Sequence, residues 1–287
     1  MKKIGILLLI FSLISCKASK NESYSFFIAG HAYGNPLDKA DKKGLYDLFK
    51  DKIPYVNEQK NMKFGVLLGD VVRQGSFWPE AQKDISNFEM PIYIARGNHD
   101  GPLEQFEQKF GKSYRSFVQN KSLFIILDPN IDEWNISGEQ LTFLKNAIKT
   151  NEKTVQKIFI FTHQMIWWHK RKYPEPFPNS LFNKSPEINY WSEIEPLLKE
   201  LNKPVYLFAG DVGSFSKEHR KKDHIIEYDY YKDKNLTYVS TGMGGGVRDN
   251  FVIVDVTKEG NVSFRLIHLN GNDINGLGKL QDYVKRK

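Results

Sequence analysis

The sequence predicts a single layered α/β or α+β domain. Apolar segments of four to six residues, rich in β-branched and aromatic side chains, alternate with stretches of helical period. The chain shows no internal repeat and no low-complexity region, and its 287 residues suffice for one large core.

The amino terminus sets the domain apart. Lys2 and Lys3 precede an apolar run from Ile4 to Ile14 that is too short to span a bilayer but suits the core of a signal peptide. The run ends in Leu13-Ile14-Ser15-Cys16, which resembles the bacterial lipobox, where cleavage before the cysteine is followed by acylation of its sulfur. The resemblance implies a leader over residues 1–15, a lipidated tether over 16–23 beginning at Cys16, a folded domain over 24–270 and a tail over 271–287. It also implies a place in the bacterial cell envelope, outside the cytoplasm, held to a membrane through the lipid. An unlipidated signal peptide, or a chance apolar terminus with a stray cysteine, is the alternative. Cys16 is the only cysteine, so the domain has no internal disulfide and is stabilised by its core. The net charge is +7, or +5 without Lys2 and Lys3, a mild excess that suits anionic substrates or envelope surfaces and equally a dispersed solvated charge. No nucleic-acid motif accompanies it, so no nucleic-acid partner is expected.

Strands are predicted at Tyr24–Ala29, Phe64–Leu68, Ile92–Ala95, Leu123–Leu127, Ile158–Phe161, Val205–Ala209, Thr237–Ser240, Phe251–Val256 and Val262–Ile267. Helices are predicted at Lys39–Lys52, Glu80–Phe88, Leu103–Phe110, Gln140–Lys149 and Ser192–Leu201, with the Ser137 hydroxyl capping the fourth. Between Trp167 and Tyr190, Pro174, Pro176 and Pro178 exclude a regular helix and predict a long surface loop.

The chemistry follows the strands. Phe64–Leu68 runs into Gly69-Asp70, Ile92–Ala95 into Arg96-Gly97-Asn98-His99-Asp100, and Ile158–Phe161 into Thr162-His163. Carboxylate, amide and imidazole groups thus leave the carboxyl ends of successive strands, where open α/β sheets place their ligands.

In these motifs and their order the chain resembles the calcineurin-like metallophosphoesterases, whose motifs read D-x-H, G-D, G-N-H-[DE], H and G-H-x-H. The resemblance runs from about Tyr24 to about Leu269, through Glu139-Gln140-Leu141-Thr142-Phe143-Leu144 and the turn Thr241-Gly242-Met243-Gly244-Gly245-Gly246. It implies a four-layer αββα sandwich of two mixed sheets flanked by helices, with two divalent cations at the strand ends. It further implies that Asp70 bridges the cations, that Asn98 and His163 hold the second one, and that His99 stands beside the scissile ester with Asp100 orienting its ring.

The first and last motifs depart from the pattern. Ala29-Gly30-His31-Ala32-Tyr33-Gly34 stands where many members have Gly-Asp-x-His-Gly. Aligned on the glycines, His31 replaces the metal-binding aspartate and Tyr33 the histidine; shifted by two, His31 matches the histidine and Ala29 the aspartate. Gly210-Asp211-Val212-Gly213 replaces Gly-His-x-His, so that Asp211 substitutes one ligand and Gly213 deletes the other. The second position keeps Asp70, Asn98, His163 and Asp211, a mixture suited to manganese, iron or zinc. The first keeps Asp70 and His31, with Tyr33 available as a phenolate. Either the exchange preserves a working site of one or two cations, or polar residues mark a decayed one. Arg73, Arg248 and Tyr33 are candidate substrate-binding groups, and His169, Lys170, Arg171 and Lys172 a basic rim, each with an ordinary solvated role as the alternative.

The expected activity is therefore metal-dependent hydrolysis of a phosphomonoester or phosphodiester, the partner being a phosphate-containing small molecule or envelope component. The alternatives are a catalytically impaired domain that binds an anionic glycan, lipid or protein, and a scaffold lipoprotein.

Overall fold

The computed structural model describes residues 22–36, 43–169, 178–213, 228–246 and 248–270. The leader, Cys16, the predicted tail and the Lys170-Arg171-Lys172 run lie outside the described residues.

Eleven strands form two mixed sheets among the described residues. The first is ordered β11-β10-β1-β2-β3, with β1 at Tyr24–Ala29, β2 at Met62–Leu67, β3 at Ile92–Ile94, β10 at Asn250–Val256 and β11 at Val262–His268. β1, β2 and β3 run parallel, and β10 and β11 close one side antiparallel. The second is ordered β4-β5-β6-β7-β9-β8, with β4 at Arg115–Gln119, β5 at Ser122–Ile126, β6 at Lys157–Thr162, β7 at Val205–Ala209, β8 at Tyr228–Asp233 and β9 at Leu236–Thr241. Here β5, β6, β7 and β9 are parallel and both edges are antiparallel.

The period of two along each strand explains the layers. In β1, Phe26 and Ile28 enter the core between the sheets while Phe27 and Ala29 face the helices of the first sheet. In β6, Phe159 and Phe161 point inward while Ile158 and Ile160 point to the helices of the second. Both faces are covered, so these strands read as continuous apolar runs. Phe26 stacks on Phe64 at 5.0 Å and meets Phe124, Phe159, Phe161 and Phe208 edge-on, which locks one sheet to the other. Helices α1 (Asp47–Lys50), α2 (Ile53–Asn57), α3 (Trp78–Ile85) and α4 (Leu103–Phe110) carry residues of the first sheet's outer core, such as Phe49, Val56, Trp78 and Phe106. α5 (Gly138–Asn151) and α6 (Glu195–Lys199) do the same for the second with Leu144 and Leu198. The predicted four-layer αββα sandwich is the observed one.

Several local expectations are corrected. The predicted Lys39–Lys52 helix is not continuous over its described part, residues 43–52: Gly44 is left-handed at φ +88°, and helix there begins at Asp47 and again at Ile53. Ser137 stands at the amino end of α5, but its hydroxyl donates to Asp132 instead of capping the first amides. Ser192–Leu201 becomes a π-helical turn at Tyr190–Ile194 followed by α6, whose first turn holds Pro196. Trp167 is buried in the second sheet's outer core and belongs to no surface loop, and residues 170–177 of the predicted loop lie outside the described residues. The edge strands β4 and β8 were not predicted, because their polar, partly exposed residues form no apolar run.

Phe26→Ala should destabilise the domain by about 3–5 kcal/mol, since a fully buried ring facing five others leaves a cavity that rigid sheets cannot close. Phe182→Ala, at a side chain left 73% exposed, should shift stability by less than about 0.5 kcal/mol. Urea unfolding of the two variants checks this; equal midpoints would remove the inter-sheet ring cluster as the main source of stability.

Candidate metal centre

The strand ends of both sheets meet with no room for side chains between them. A β-carbon on Gly30 would lie 2.2 Å from the Thr241 carbonyl oxygen and 2.4 Å from Gly210 Cα, and one on Gly97 would lie 2.1 Å from the Asp70 nitrogen. Only glycine allows such backbone contact. The next residues turn sharply back: His31 and Asp70 take left-handed φ values of 54° and 49°. Such conformations cost on the order of 1 kcal/mol or more each in non-glycine residues and cluster where a side chain must be aimed.

They aim at one another. His31 Nε2 stands 3.6 Å from Asp70 Oδ2, and His163 Nε2 stands 3.3 Å from Asp70 Oδ1. His163 Nε2 also lies 3.2 Å from Asn98 Oδ1 and 3.9 Å from Asp211 Oδ1. His31, Asp70, His163 and Asp211 are at most 2% exposed, whereas Asn98 and His99 are exposed. All five predicted ligands are therefore brought together, three from the first sheet and two from the second. Tyr33 joins them: its ring is 4.2 Å from that of His31 and 5.4 Å from that of His99.

Hydrogen bonds fix the imidazole tautomers. Nδ1 of His163 lies 2.8 Å from the Leu68 carbonyl oxygen and Nδ1 of His99 lies 2.9 Å from that of Arg73. A carbonyl can only accept, so each Nδ1 carries a proton, and Nε2 of His163 is the atom turned toward Asp70 and Asn98. Burial opposes protonation of His163, but the Asp70 charge and hydrogen bond and the Asp211 charge outweigh it and push the imidazole up to about 10. Burial pushes Asp70 up, and the imidazoles of His163, His31 and His99 overcome it and hold the carboxyl well below its ordinary value. Burial lowers His31 to about 4, so it faces Asp70 as a neutral imidazole. For Tyr33, burial and then the Asp70 charge drive the phenol upward against the opposing Arg73 charge, which disfavours the phenolate expected from the sequence.

Two expected roles change. Asp100 does not orient the His99 ring. Its carboxylate accepts from the amides of Val71, Val72 and Gly97 at 2.8, 3.1 and 2.7 Å, which binds the two ligand loops together. The Arg73 main chain orients His99 in its place. Arg248 is exposed, and its charge acts on His268 at the end of β11. Sequence reasoning missed Asp249, whose carboxylate accepts from the amides of Gly244, Gly245 and Gly246 at 2.8–3.0 Å and shapes the glycine-rich turn. The turn bears on the site because the Met243 main chain acts on His31.

The sequence profile of the calcineurin-like phosphoesterases matches residues 31–242, well over half of the chain and the span that holds every one of these donors. The chain belongs to that family.

Among solved structures, this phosphoesterase is similar to a purple acid phosphatase, PPD1, from yellow lupin (Lupinus luteus) seeds, with a TM-score of 0.58 and 12% identity over 88% of this chain and 52% of that one. It thus spans about half the length of that protein, and the likeness is one of fold. Vacuolar Protein Sorting 29 from Cryptosporidium parvum gives a TM-score of 0.44 and 10% identity over 88% of this chain and 94% of the other. Phosphopantetheinyl Hydrolase (PptH) from Mycobacterium tuberculosis gives 0.40 and 8% over 78% and 90%. No curated protein matches in sequence.

The family is one of divalent-metal-dependent phosphoesterases, and the donors suit such ions. Among the described residues, no group of three or more His, Cys, Asp or Glu side chains is drawn together closely enough to hold a metal ion as it stands. The pairwise separations of 3.2–3.9 Å nevertheless resemble the spacing of about 3.5 Å between ligands that share a cation through bonds of about 2.1 Å. Oxygen and imidazole donors together fit manganese, iron or zinc.

Asp249 offers a test of the glycine-rich turn. Burial, partly offset by the three amides, pushes its carboxyl up to about 6, so the folded chain holds this proton more tightly than the unfolded chain does. The resulting stabilisation is present at low pH and is lost as pH rises through 6. Between pH 7 and pH 5 the parent should gain about 1 kcal/mol relative to Asp249→Ala in paired denaturation series. A flat difference would show that the carboxyl is not held in this way.

Proposed function

We propose that this phosphoesterase hydrolyses a phosphomonoester or phosphodiester outside the cytoplasm, with a second cation position that keeps four donors, Asp211 standing for a histidine, and a thinner first one. The observation that carries the reading is the two-sided Asp70 carboxylate, with Oδ2 toward His31 and Oδ1 toward His163. Asp70, Asn98, His163 and Asp211 would hold the second cation, and Asp70 with His31 the first. Bound divalent cations supply Lewis acidity toward the phosphoryl oxygens and lower the pKa of water. The residues of the chain contribute the rest. His99 presents Nε2 at the exposed edge of the site, where its imidazolium form can give a proton to the leaving oxygen. Tyr33, held as a phenol between the His31 and His99 rings, can donate a hydrogen bond to a phosphoryl oxygen. Arg73, close enough for its charge to act on Tyr33, can pair with the phosphate.

A binding role without turnover is the second reading. It is favoured by the thinness of the first position, where Gly213 offers no side chain and Tyr33 stays protonated. Metal content, with hydrolysis of p-nitrophenyl phosphate and its bis ester, separates the two. The phosphoesterase reading expects bound metal and turnover, a fall in metal affinity of more than about 100-fold in Asp211→Ala but not in Asp51→Ala, and a loss of about 10²–10⁴ in turnover in His99→Ala with little change in melting. Metal without turnover would favour the binder. Indistinguishable metal binding by Asp211→Ala and Asp51→Ala would remove Asp211 from the ligand set.

The envelope location rests on the leader and Cys16. In a bacterial host, Cys16→Ser should release the protein from membranes or leave it unprocessed. A correctly processed variant that still fractionates with membranes would exclude the lipid anchor.

A further inference from the structure

The geometry points to a polar bracket of buried Arg96 and Asp128 with half-buried Asn130 that fixes the turn from Gly97 to Asp100 and thereby the separation of the Asn98 and His163 donors. These are positioning residues, acting through Asn98. In its metal arm the inference rests on the reading proposed above.

Arg96 and Gly101 flank the turn, and one guanidinium spans both ends of it. Arg96 Nε donates to Asp128 Oδ2 at 2.7 Å and Nη1 donates to the Gly101 carbonyl at 3.2 Å. Asn130 then ties this group to the other sheet's ligand loop. Its Nδ2 donates to the Arg96 carbonyl at 2.7 Å and to Asp128 Oδ1 at 3.1 Å, where its main-chain amide also donates. Its Oδ1 accepts from Nε2 of Gln164, the residue after His163. The Thr162 hydroxyl holds the Gln164 carbonyl at 2.8 Å. The bracket is anchored on α5 by Gln140, whose side chain pairs with both the amide and the carbonyl of Asp128 at 2.6 and 3.1 Å. A path of hydrogen bonds therefore runs from the Asn98 turn to His163 without passing through any proposed ligand.

Its burial makes a purely stabilising role a poor explanation. Arg96, Asp128, Gln140 and Gln164 are all at most 6% exposed. A buried ion pair contributes little net stability compared with apolar residues of the same volume. What this pair can supply is fixed geometry. Asn98 is exposed and its turn is short, yet its oxygen must stay near His163 Nε2, at 3.2 Å here, for both to share a cation. Groups that hold metal ligands in place typically change metal affinity 10- to 100-fold when removed.

Asn130→Ala tests this, because it cuts the side-chain links to Arg96, Asp128 and Gln164 while leaving the main-chain bond to Asp128 and the Arg96–Asp128 pair to support folding. Two measurements use the metal-free protein. Amide exchange at Gly97, His99 and Asp100 should quicken at least tenfold with β3 and β5 unchanged, and the His163 ring nitrogens should shift in ¹⁵N spectra. The third is Mn²⁺ titration, where affinity should fall about 10- to 100-fold although every proposed ligand remains. Gln164→Ala, which cuts the same path from the His163 side, should move all three in the same direction and guards against misfolding of the first variant. Unchanged exchange and unchanged His163 shifts would overturn the bracket, whatever the metal does. A loosened turn with undiminished Mn²⁺ affinity would overturn it as a setter of the donors. If the parent takes up no Mn²⁺ while both metal-free signals move, the bracket stands and the metal-dependent reading of the site falls.

Discussion

The constraint on which the site depends is the burial of the Asp70 carboxylate where two sheets abut. An ion removed from water is tolerated only if other charges and hydrogen bonds replace its hydration. Here Oδ1 accepts from the His99 amide at 3.0 Å and faces His163, while Oδ2 faces His31. The glycines at 30, 69, 97 and 210 follow from the same requirement, because a β-carbon at any of them would collide with backbone or with His163. Left-handed backbone at His31 and Asp70 is the local expense of aiming both side chains into so narrow a space.

The two sheets cooperate in this without contributing equally. The first brings the strand ends that carry His31, Asp70 and Asn98, and the second brings His163 and Asp211. Their relative position is set by the aromatic core around Phe26, several residues away from any polar atom of the site. Rigid aromatic packing allows little sliding between sheets. The fold therefore fixes which strand ends meet, and local hydrogen bonds such as those of Asp100 and Asp249 fix how their side chains lie.

The fold was legible in the sequence where both faces of a strand are buried. Tyr24–Ala29 and Val205–Ala209 were read to the residue because every position there is apolar or packed. β4 and β8 were not, since an edge strand needs only a partial apolar face. At the site, the rule that ligands follow strands pointed to Asp70, Asn98 and His163, the family resemblance added His31 and Asp211, and the structure brings the five together. The rule could also have found Asp128, which follows β5 in the same way. Neither the rule nor the resemblance gives direction, and the role that the resemblance implied for Asp100, orienting the His99 ring, is not the one its carboxylate takes. Adjacent residues of a tight turn point opposite ways: Asp100 is buried at 1% exposure while His99 faces out. Partners supplied by the main chain, such as the Arg73 carbonyl, carry no signal in a side-chain pattern at all.

The altered positions are best judged by what burial demands of them. A site released from selection for cations should drift toward residues that are easy to bury, since an ionisable side chain in a low-dielectric interior is destabilising unless it is compensated. His31 and Asp211 have not drifted that way: at 2% and 1% exposure they remain ionisable and remain directed at the shared cluster. Their charges also complement each other. Asp211 adds to the field that keeps His163 protonated, while His31 stays neutral and adds no second positive charge beside Asp70. With Asp70 and Asp211 negatively charged and His163 an imidazolium, the cluster keeps a net negative charge and can exchange the Nε2 proton for a divalent cation at little electrostatic disadvantage. Aligned on the glycines, histidine stands for aspartate at one end of the site and aspartate for histidine at the other, so the two exchanges together leave the charge balance of the cluster as it was.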